Sequence, residues 1–319
     1  MKDCYGRNID YLRISITDKC NLRCRYCMPE NGISLLNHAD ILRYEEIYLF
    51  LKAAVKNGIK KVRITGGEPL TRRGIVDFVS MVRSFEKIED IAITTNGILL
   101  PDMAKDLKSA GLDRVNISLD TLDSEKYFYI TRGGNLKDVL LAIDKALEYF
   151  PVKINSVLIK NFNENEFDDF VLLAMKYNMQ VRFIEKMPVG YGAVHFDEEY
   201  VSCDKLVKKA EKLSVGEPFN DGVATVYPLG EGKSSIGFIT PLSHKFCTGC
   251  NKIRLTSDGK VKTCLFSQNE YDIKPYINSE TEMDKFYREM IAKKEEQHFI
   301  NNKNQNQWIQ NRDMNKIGG

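Results

Sequence analysis

The chain has 319 residues, of which 43% are hydrophobic and 28% charged, and its formal net charge is +2. That length suffices for one large core or two smaller ones, and the composition is ordinary for a globular protein. So balanced a charge excludes a strongly cationic nucleic-acid binder, while leaving room for a local basic pocket.

The N-terminus MKDCYGRN is polar and lacks the apolar core of a signal peptide. From Tyr11 to about Lys186, short β-branched runs alternate with longer amphipathic stretches. Strands are predicted over 11–17, 60–65, 90–95, 113–119, 152–159 and 179–185, and helices over 44–57, 74–84, 101–110, 135–149 and 164–177. Gly58, Gly97 and Gly111 punctuate the ends of these elements. Six strand runs separated by helices predict a parallel α/β sheet, either open and doubly wound or a partial barrel. In either case ligands belong at the C-terminal ends of the strands. The pattern changes after about residue 195: a helix over 202–213, short strand-like runs, and an Asp258–Gly259 hairpin signal. A charged helix (about 280–297), an Asn/Gln-rich stretch (301–311) and the ending MNKIGG follow; this polar tail is expected to be mobile unless something docks it. The expected division is 1–200 and 201–319. The longest apolar candidate, Tyr48 to Val55, contains Lys52 and falls short of the ~18 residues of a membrane span. The expected compartment is the cytoplasm.

Six of the eight cysteines fall in two tight clusters, which points to metal binding rather than disulfides; Cys4 and Cys203 lie outside both and read as bystanders. Cys20-x-x-x-Cys24-x-x-Cys27 follows the first strand directly. Three thiolates in one loop would leave one iron of a four-iron cubane open to a ligand. The alternative is zinc, but no fourth Cys or His lies nearby, His38 being 11 residues on. Cys247-x-x-Cys250 and Cys264 form a second triad, with 13 residues between the last two. Here zinc would need His244 as a fourth ligand.

CNLRCRYCMP, with Tyr26 before the third cysteine, resembles the signature of the radical S-adenosylmethionine (SAM) superfamily. TGGEP (65–69), after the second strand, is similar to that superfamily's segment for the methionine amino group. Together with FCTGCNKIRLTSDGKVKTCLF and the terminal Gly-Gly, nearly the whole chain resembles the GTP 3′,8-cyclase family of molybdenum cofactor biosynthesis. The resemblance implies a partial (β/α)6 TIM-like barrel with a C-terminal α+β extension holding a second cluster. It implies two [4Fe–4S] clusters, one on Cys20, Cys24 and Cys27 that binds SAM, the other on Cys247, Cys250 and Cys264 that meets the substrate. Its implied activity is cyclisation of GTP, in which a 5′-deoxyadenosyl radical abstracts the ribose C3′ hydrogen.

By the same resemblance Tyr26, Gly67, Ser118 and Met187 contact SAM, while Arg13, Arg63, Thr94, Lys153, Lys252 and Arg254 contact GTP. Gly318 and Gly319 would enter the active site. The implied partners are an external electron donor and a downstream cyclic pyranopterin monophosphate synthase, with no nucleic acid or membrane and with the chain as monomer or homodimer. Residue chemistry agrees on one point. Gly232-Lys233-Ser234 lacks the rest of a Walker A motif and reads as a hairpin turn. A triphosphate would then need converging cations, for which Arg13, Arg63, Lys153 and Arg182 at strand ends, Lys61, and Arg254 beside the second triad are the candidates. The family's usual arginine is replaced by Lys252, which keeps the charge and loses the two-pronged fork. Glu68 and Asp120 are plausible supports with no assigned proton-transfer role.

Overall fold

A computed structural model describes residues 1–230, 232–298, 300 and 312–318. Strand and helix alternate through β1 (Tyr11–Ser15), α1 (Tyr44–Lys56), β2 (Lys61–Thr65), α2 (Ile75–Arg83), β3 (Asp90–Thr95), α3 (Leu100–Ser109), β4 (Arg114–Ser118), α4 (Ser124–Thr131), α5 (Leu136–Leu147), β5 (Val152–Leu158), α6 (Phe167–Lys176) and β6 (Gln180–Glu185). β1 to β6 are joined in that order, each parallel to the next. This is the six-unit partial barrel. The chain continues as α7 (Phe196–Glu199), α8 (Asp204–Leu213), β7 (Phe219–Asp221), β8 (Ala224–Pro228), β9 (Ser235–Ile239), β10 (Lys252–Leu255), β11 (Lys260–Lys262), β12 (Tyr271–Asp272), α9 (Glu280–Ala292) and α10 (Met314–Ile317). These later strands extend the same sheet at both edges, β10 lying parallel to β1 and β9 parallel to β6.

Period-two patterning explains what the strands do. Leu12 and Ile14 of β1, and Val62 and Ile64 of β2, are fully buried in the main hydrophobic core. Each such side chain contributes roughly 1.5–3 kcal/mol of burial. Helices cover that outer face with their apolar stripes, as α1 does with Ile47, Phe50, Leu51 and Ala54. The alternate residues, Tyr11, Arg13, Lys61 and Arg63, line a cavity on the other face. The barrel interior is therefore polar.

The predicted elements of the first half are present, β3 with the predicted bounds and the others with ends shifted by no more than three residues. α4 was not predicted, because its YFYIT stretch reads as β-branched and aromatic; Asp123 caps it, accepting from the amides of Glu125 and Lys126 at 2.8 and 2.9 Å. The charged helix predicted to run to about 297 stops at Ala292, where the chain turns inward. Asp258–Gly259 forms its hairpin, with Gly259 at φ 88°, and Gly232-Lys233-Ser234 lies in the turn between β8 and β9. Cys203 is fully buried in the core. Cys4 is exposed and donates to the Ala292 carbonyl at 3.2 Å. Among the described residues no helix is long and apolar enough to cross a membrane.

Candidate active site

One cavity of about 630 Å3 runs through the barrel interior, and both cysteine triads line it. Cys20, Cys24 and Cys27 follow the C-terminal end of β1. Cys250 precedes β10, whose first residue pairs with the first residue of the parallel β1, so the second triad sits at the opposite, N-terminal end of the strands. The sequence placed every ligand at the C-terminal ends. The structure corrects this: β10 enters the sheet beside β1 and carries its cysteines to the other mouth.

None of the six thiols is in a disulfide. Burial pushes the Cys24 thiol well above its usual range, with added repulsion from Cys27, Asp120 and Cys20. Burial and then Cys20 and Asp313 push Cys27 up to about 12. Thiols that crowd one another in this way become good ligands only with a cationic group between them. A cubane takes its thiolates on separate irons, which fits a donor set of three cysteines and nothing else.

The first triad has an acidic surround. Tyr26 donates to Asp120 at 2.7 Å, and Asp120 also accepts from the Val157 amide at 2.8 Å. Burial raises Asp120 to about 6 despite those two bonds. Gly67 lies opposite Lys19; its amide donates to the Thr17 carbonyl at 2.7 Å, and a Cβ there would strike the Lys19 carbonyl. Glycine is thus required for this loop to pack on the cysteine loop. Glu68 accepts from the amides of Leu70 (3.0 Å) and Asn96 (2.7 Å) and from the Thr95 hydroxyl (2.8 Å). Ser118 ends β4, and Met187 follows β6 half-buried, both on the cavity wall.

The cationic surround lies toward the second triad. Arg254, Arg13 and Arg63 are register partners on three neighbouring strands, about 4.8 Å apart. All three are mid-strand residues facing inward; for Arg13 and Arg63, expected at strand ends, this is a second correction, and it follows from the period of two. Burial and then their mutual repulsion depress Arg13, and burial with Arg63 takes Arg254 to about 10. Lys252 falls to about 8, chiefly by burial, and lies 5.2 Å from the Tyr11 ring. Burial alone would raise the Tyr11 phenol, but Arg63, Arg114 and Arg13 outweigh it and bring it to about 8. So many buried cations on one wall call for an anion. Arg63 Nε, Thr94 Oγ1 and Asn155 Oδ1 are buried on this wall and have no hydrogen-bond partner among the described residues. Lys153 and Arg182 both line the cavity and are ion-paired to Asp221. Lys61 lines it as well.

The tail closes the site. Arg312 holds Asp258 at 2.8 and 3.0 Å and Glu270 at 2.9 and 2.7 Å. Asn315 donates to the Asp18 carbonyl at 2.9 Å, and the Gly318 carbonyl accepts from Arg254 at 2.6 Å. Gly319 lies outside the described residues. Several lining residues were missed. Arg114, which pairs with Asp90 at 2.7 and 2.5 Å, lies on the inward period of β4 and was legible from it. Asp221 and Asn155 carry no motif; only the fold brings them here.

The family model described as the Radical SAM superfamily matches residues 14–174, and the one described as Molybdenum Cofactor Synthesis C matches residues 179–300. The chain is 46% identical to "GTP 3′,8-cyclase" of Alkaliphilus oremlandii over 100% of both chains. It is 48% identical to "GTP 3′,8-cyclase" of Clostridium acetobutylicum over 95% of this chain and 96% of that one. Among solved structures, Streptococcus suis SuiB bound to S-adenosylmethionine superposes with a TM-score of 0.63 at 16% identity, covering 90% of this chain and 67% of that one. That likeness concerns the fold alone.

Proposed function

Because this chain belongs to the radical SAM superfamily and, within it, to the GTP 3′,8-cyclases, we infer that the cavity is divided between two ligands of opposite charge. The enzyme cyclises GTP to (8S)-3′,8-cyclo-7,8-dihydroguanosine 5′-triphosphate, the first step of molybdenum cofactor biosynthesis. When bound, the cofactors supply one electron from a [4Fe–4S] cluster and, from SAM, the 5′-deoxyadenosyl radical that takes the ribose C3′ hydrogen.

The chain's own residues then have distinct tasks. Cys20, Cys24 and Cys27 would hold the SAM-binding cluster, with Tyr26, Gly67, Ser118 and Met187 shaping the place for SAM. Asp120 fixes the Tyr26 ring by its hydrogen bond, and the Glu68 carboxylate ties its own loop to the end of β3 through the Asn96 amide. Cys247, Cys250 and Cys264 would hold the second cluster. Arg13, Arg63 and Arg254 would take the triphosphate, with Lys252, Lys153 and Thr94 beside them. Asp221 would surrender part of its hold on Lys153 as phosphate arrives, since one carboxylate and a phosphate compete for the same ammonium. The docked tail keeps water from the radical by filling the space between Thr65 and Arg254.

A single observation carries this reading: the row of three arginines lies between the triads in one cavity. Free thiols and a low-potential electron donor both favour a reducing compartment, the cytoplasm. A synthase that consumes the cyclised nucleotide completes the set of partners. The test is anaerobic turnover of the reconstituted chain with SAM, dithionite and GTP, followed by mass spectrometry. Coupled formation of 5′-deoxyadenosine and a cyclised isomer of GTP supports the reading. Deoxyadenosine without change in GTP would sink the assignment of the substrate site.

A further inference from the structure

The second triad is held from outside its own motif by two buried cations that no sequence signal marked. Arg7 donates to the Cys247 carbonyl at 2.9 Å and to the carbonyls of Glu295 and Glu296 at 2.6 Å, and its Nε pairs with Asp3 at 2.6 Å. Arg7 thus has a carboxylate of its own.

Lys294 does not. It is 3% exposed, and it follows α9 where the chain turns inward. Its ammonium donates to the Lys252 carbonyl at 3.0 Å and to the Thr263 carbonyl, and lies 3.9 Å from Cys250 Sγ. Among the described residues no carboxylate forms an ion pair with it, and all its partners belong to the two strands that carry the triad. Lys252 is two residues after Cys250, and Thr263 directly precedes Cys264. A buried ammonium without a carboxylate is unstable unless a negative group shares its site. Three thiolates on a four-iron cluster carry a net negative charge, and it grows by one on reduction.

We propose that Lys294 is the positioning and charge-compensating residue of the second cluster, stapling the strands of Cys250 and Cys264 and setting how readily that cluster accepts an electron. The inference rests on the iron–sulfur reading of the second triad. A donor aimed at a ligating sulfur stabilises the more negative, reduced cluster. Neutralising Lys294 should therefore make the cluster harder to reduce, whether or not the enzyme turns over.

The test uses the full-length chain with Cys20→Ala, Cys24→Ala and Cys27→Ala, so that only the second cluster titrates. Iron content and an anaerobic potentiometric titration followed by electron paramagnetic resonance are compared with and without Lys294→Gln and Lys294→Arg. At a fixed potential the reduced-to-oxidised ratio should fall about tenfold in Lys294→Gln, about 59 mV for a one-electron couple. Lys294→Arg should stay near the parent. Loss of iron in Lys294→Gln with retention in Lys294→Arg would also support the charge role. Full iron with an unmoved midpoint in Lys294→Gln overturns it, as does loss of iron in both variants, which would mean packing alone. A parent that takes up no iron would instead refute the cluster reading on which the proposal stands.

Discussion

The two triads use the same ligand in the same number, yet they sit in opposite fields. Cys20, Cys24 and Cys27 occupy one short loop, and Cys24 and Cys27 are pushed up by burial, by fellow cysteines of the triad and by Asp120 and Asp313. At the second triad burial pushes the Cys250 thiol up too, but Lys294, the Lys252 amide and ammonium, and Arg7 outweigh that and bring it below the usual range, while burial with Cys250 and Cys247 still holds Cys264 above it against the pull of Lys294. Cysteine spacing therefore does not decide what a triad does. Its surroundings do: an acidic neighbourhood suits a sulfonium, and a basic one suits a triphosphate. On the proposed reading, the polarity of the cavity would orient the two ligands, each with its charged end toward its own mouth and their reacting parts meeting between.

Breaking either triad should test this division most severely. Cys24→Ala is expected to abolish cleavage of SAM and with it all product, read as no detectable 5′-deoxyadenosine. Cys250→Ala should leave a basal, uncoupled cleavage of SAM while no cyclised nucleotide forms. If Cys24→Ala lost only nucleotide conversion, the two mouths of the barrel would have been assigned the wrong way round.

Smaller changes sharpen the comparison. Arg63→Gln removes one charged donor from the arginine row and leaves the acidic mouth untouched. A charge-assisted hydrogen bond contributes about 1.5–3 kcal/mol, so equilibrium binding of GTP should weaken roughly 10- to 100-fold, with SAM affinity unchanged. Equal weakening of both would mean that the field is not divided. Gly318→Ala should act next. Gly318 has φ 85°, and a Cβ there would strike Thr65 Oγ1 and come within 3.1 Å of Ser15 Cβ. That conformation costs an L-residue about 1–2 kcal/mol, so kcat/KM for GTP should fall by roughly tenfold. The thermal midpoint should hold, because residues 312–318 dock on a barrel already formed.

Much of this was legible in the chain because local patterns carried it. The six strands and their helices follow from hydrophobic period, and the first triad from eight contiguous residues. The second mouth was not legible. Nothing in the sequence says that β10 lies beside β1, and only that pairing turns the second triad toward the N-terminal ends and aligns Arg254 with Arg13 and Arg63. Lys294 and Asp221 are hidden for the same reason: each acts through partners tens of residues away, Lys252 and Thr263 for one and Arg182 for the other. α4 escaped because local propensity favours a strand, and its Asp123 cap and the packing of Tyr127 override it.

The mildest expected effect concerns the acidic mouth by itself. Burial lifts Glu68 from 4.5 to about 7, against three hydrogen bonds that pull the other way. Between those two values the folded chain binds a proton at Glu68 that the unfolded chain has released. Stability then falls as pH rises through that window, because the folded state holds more protons than the unfolded one. The slope reaches at most about 1.4 kcal/mol per pH unit for one proton. Below about 4.5 both states are protonated and above about 7 both are ionised, so the contribution is level on either side. Glu68→Gln should flatten this part of the profile in urea midpoints taken across the window. It should also lower stability throughout by about 1–3 kcal/mol, since Oε2 accepts from the Asn96 amide and an NH2 group placed there leaves two donors facing each other. Parallel profiles for the two proteins would mean that Glu68 titrates as an ordinary carboxyl, and that the acidic mouth is charged before any ligand reaches it.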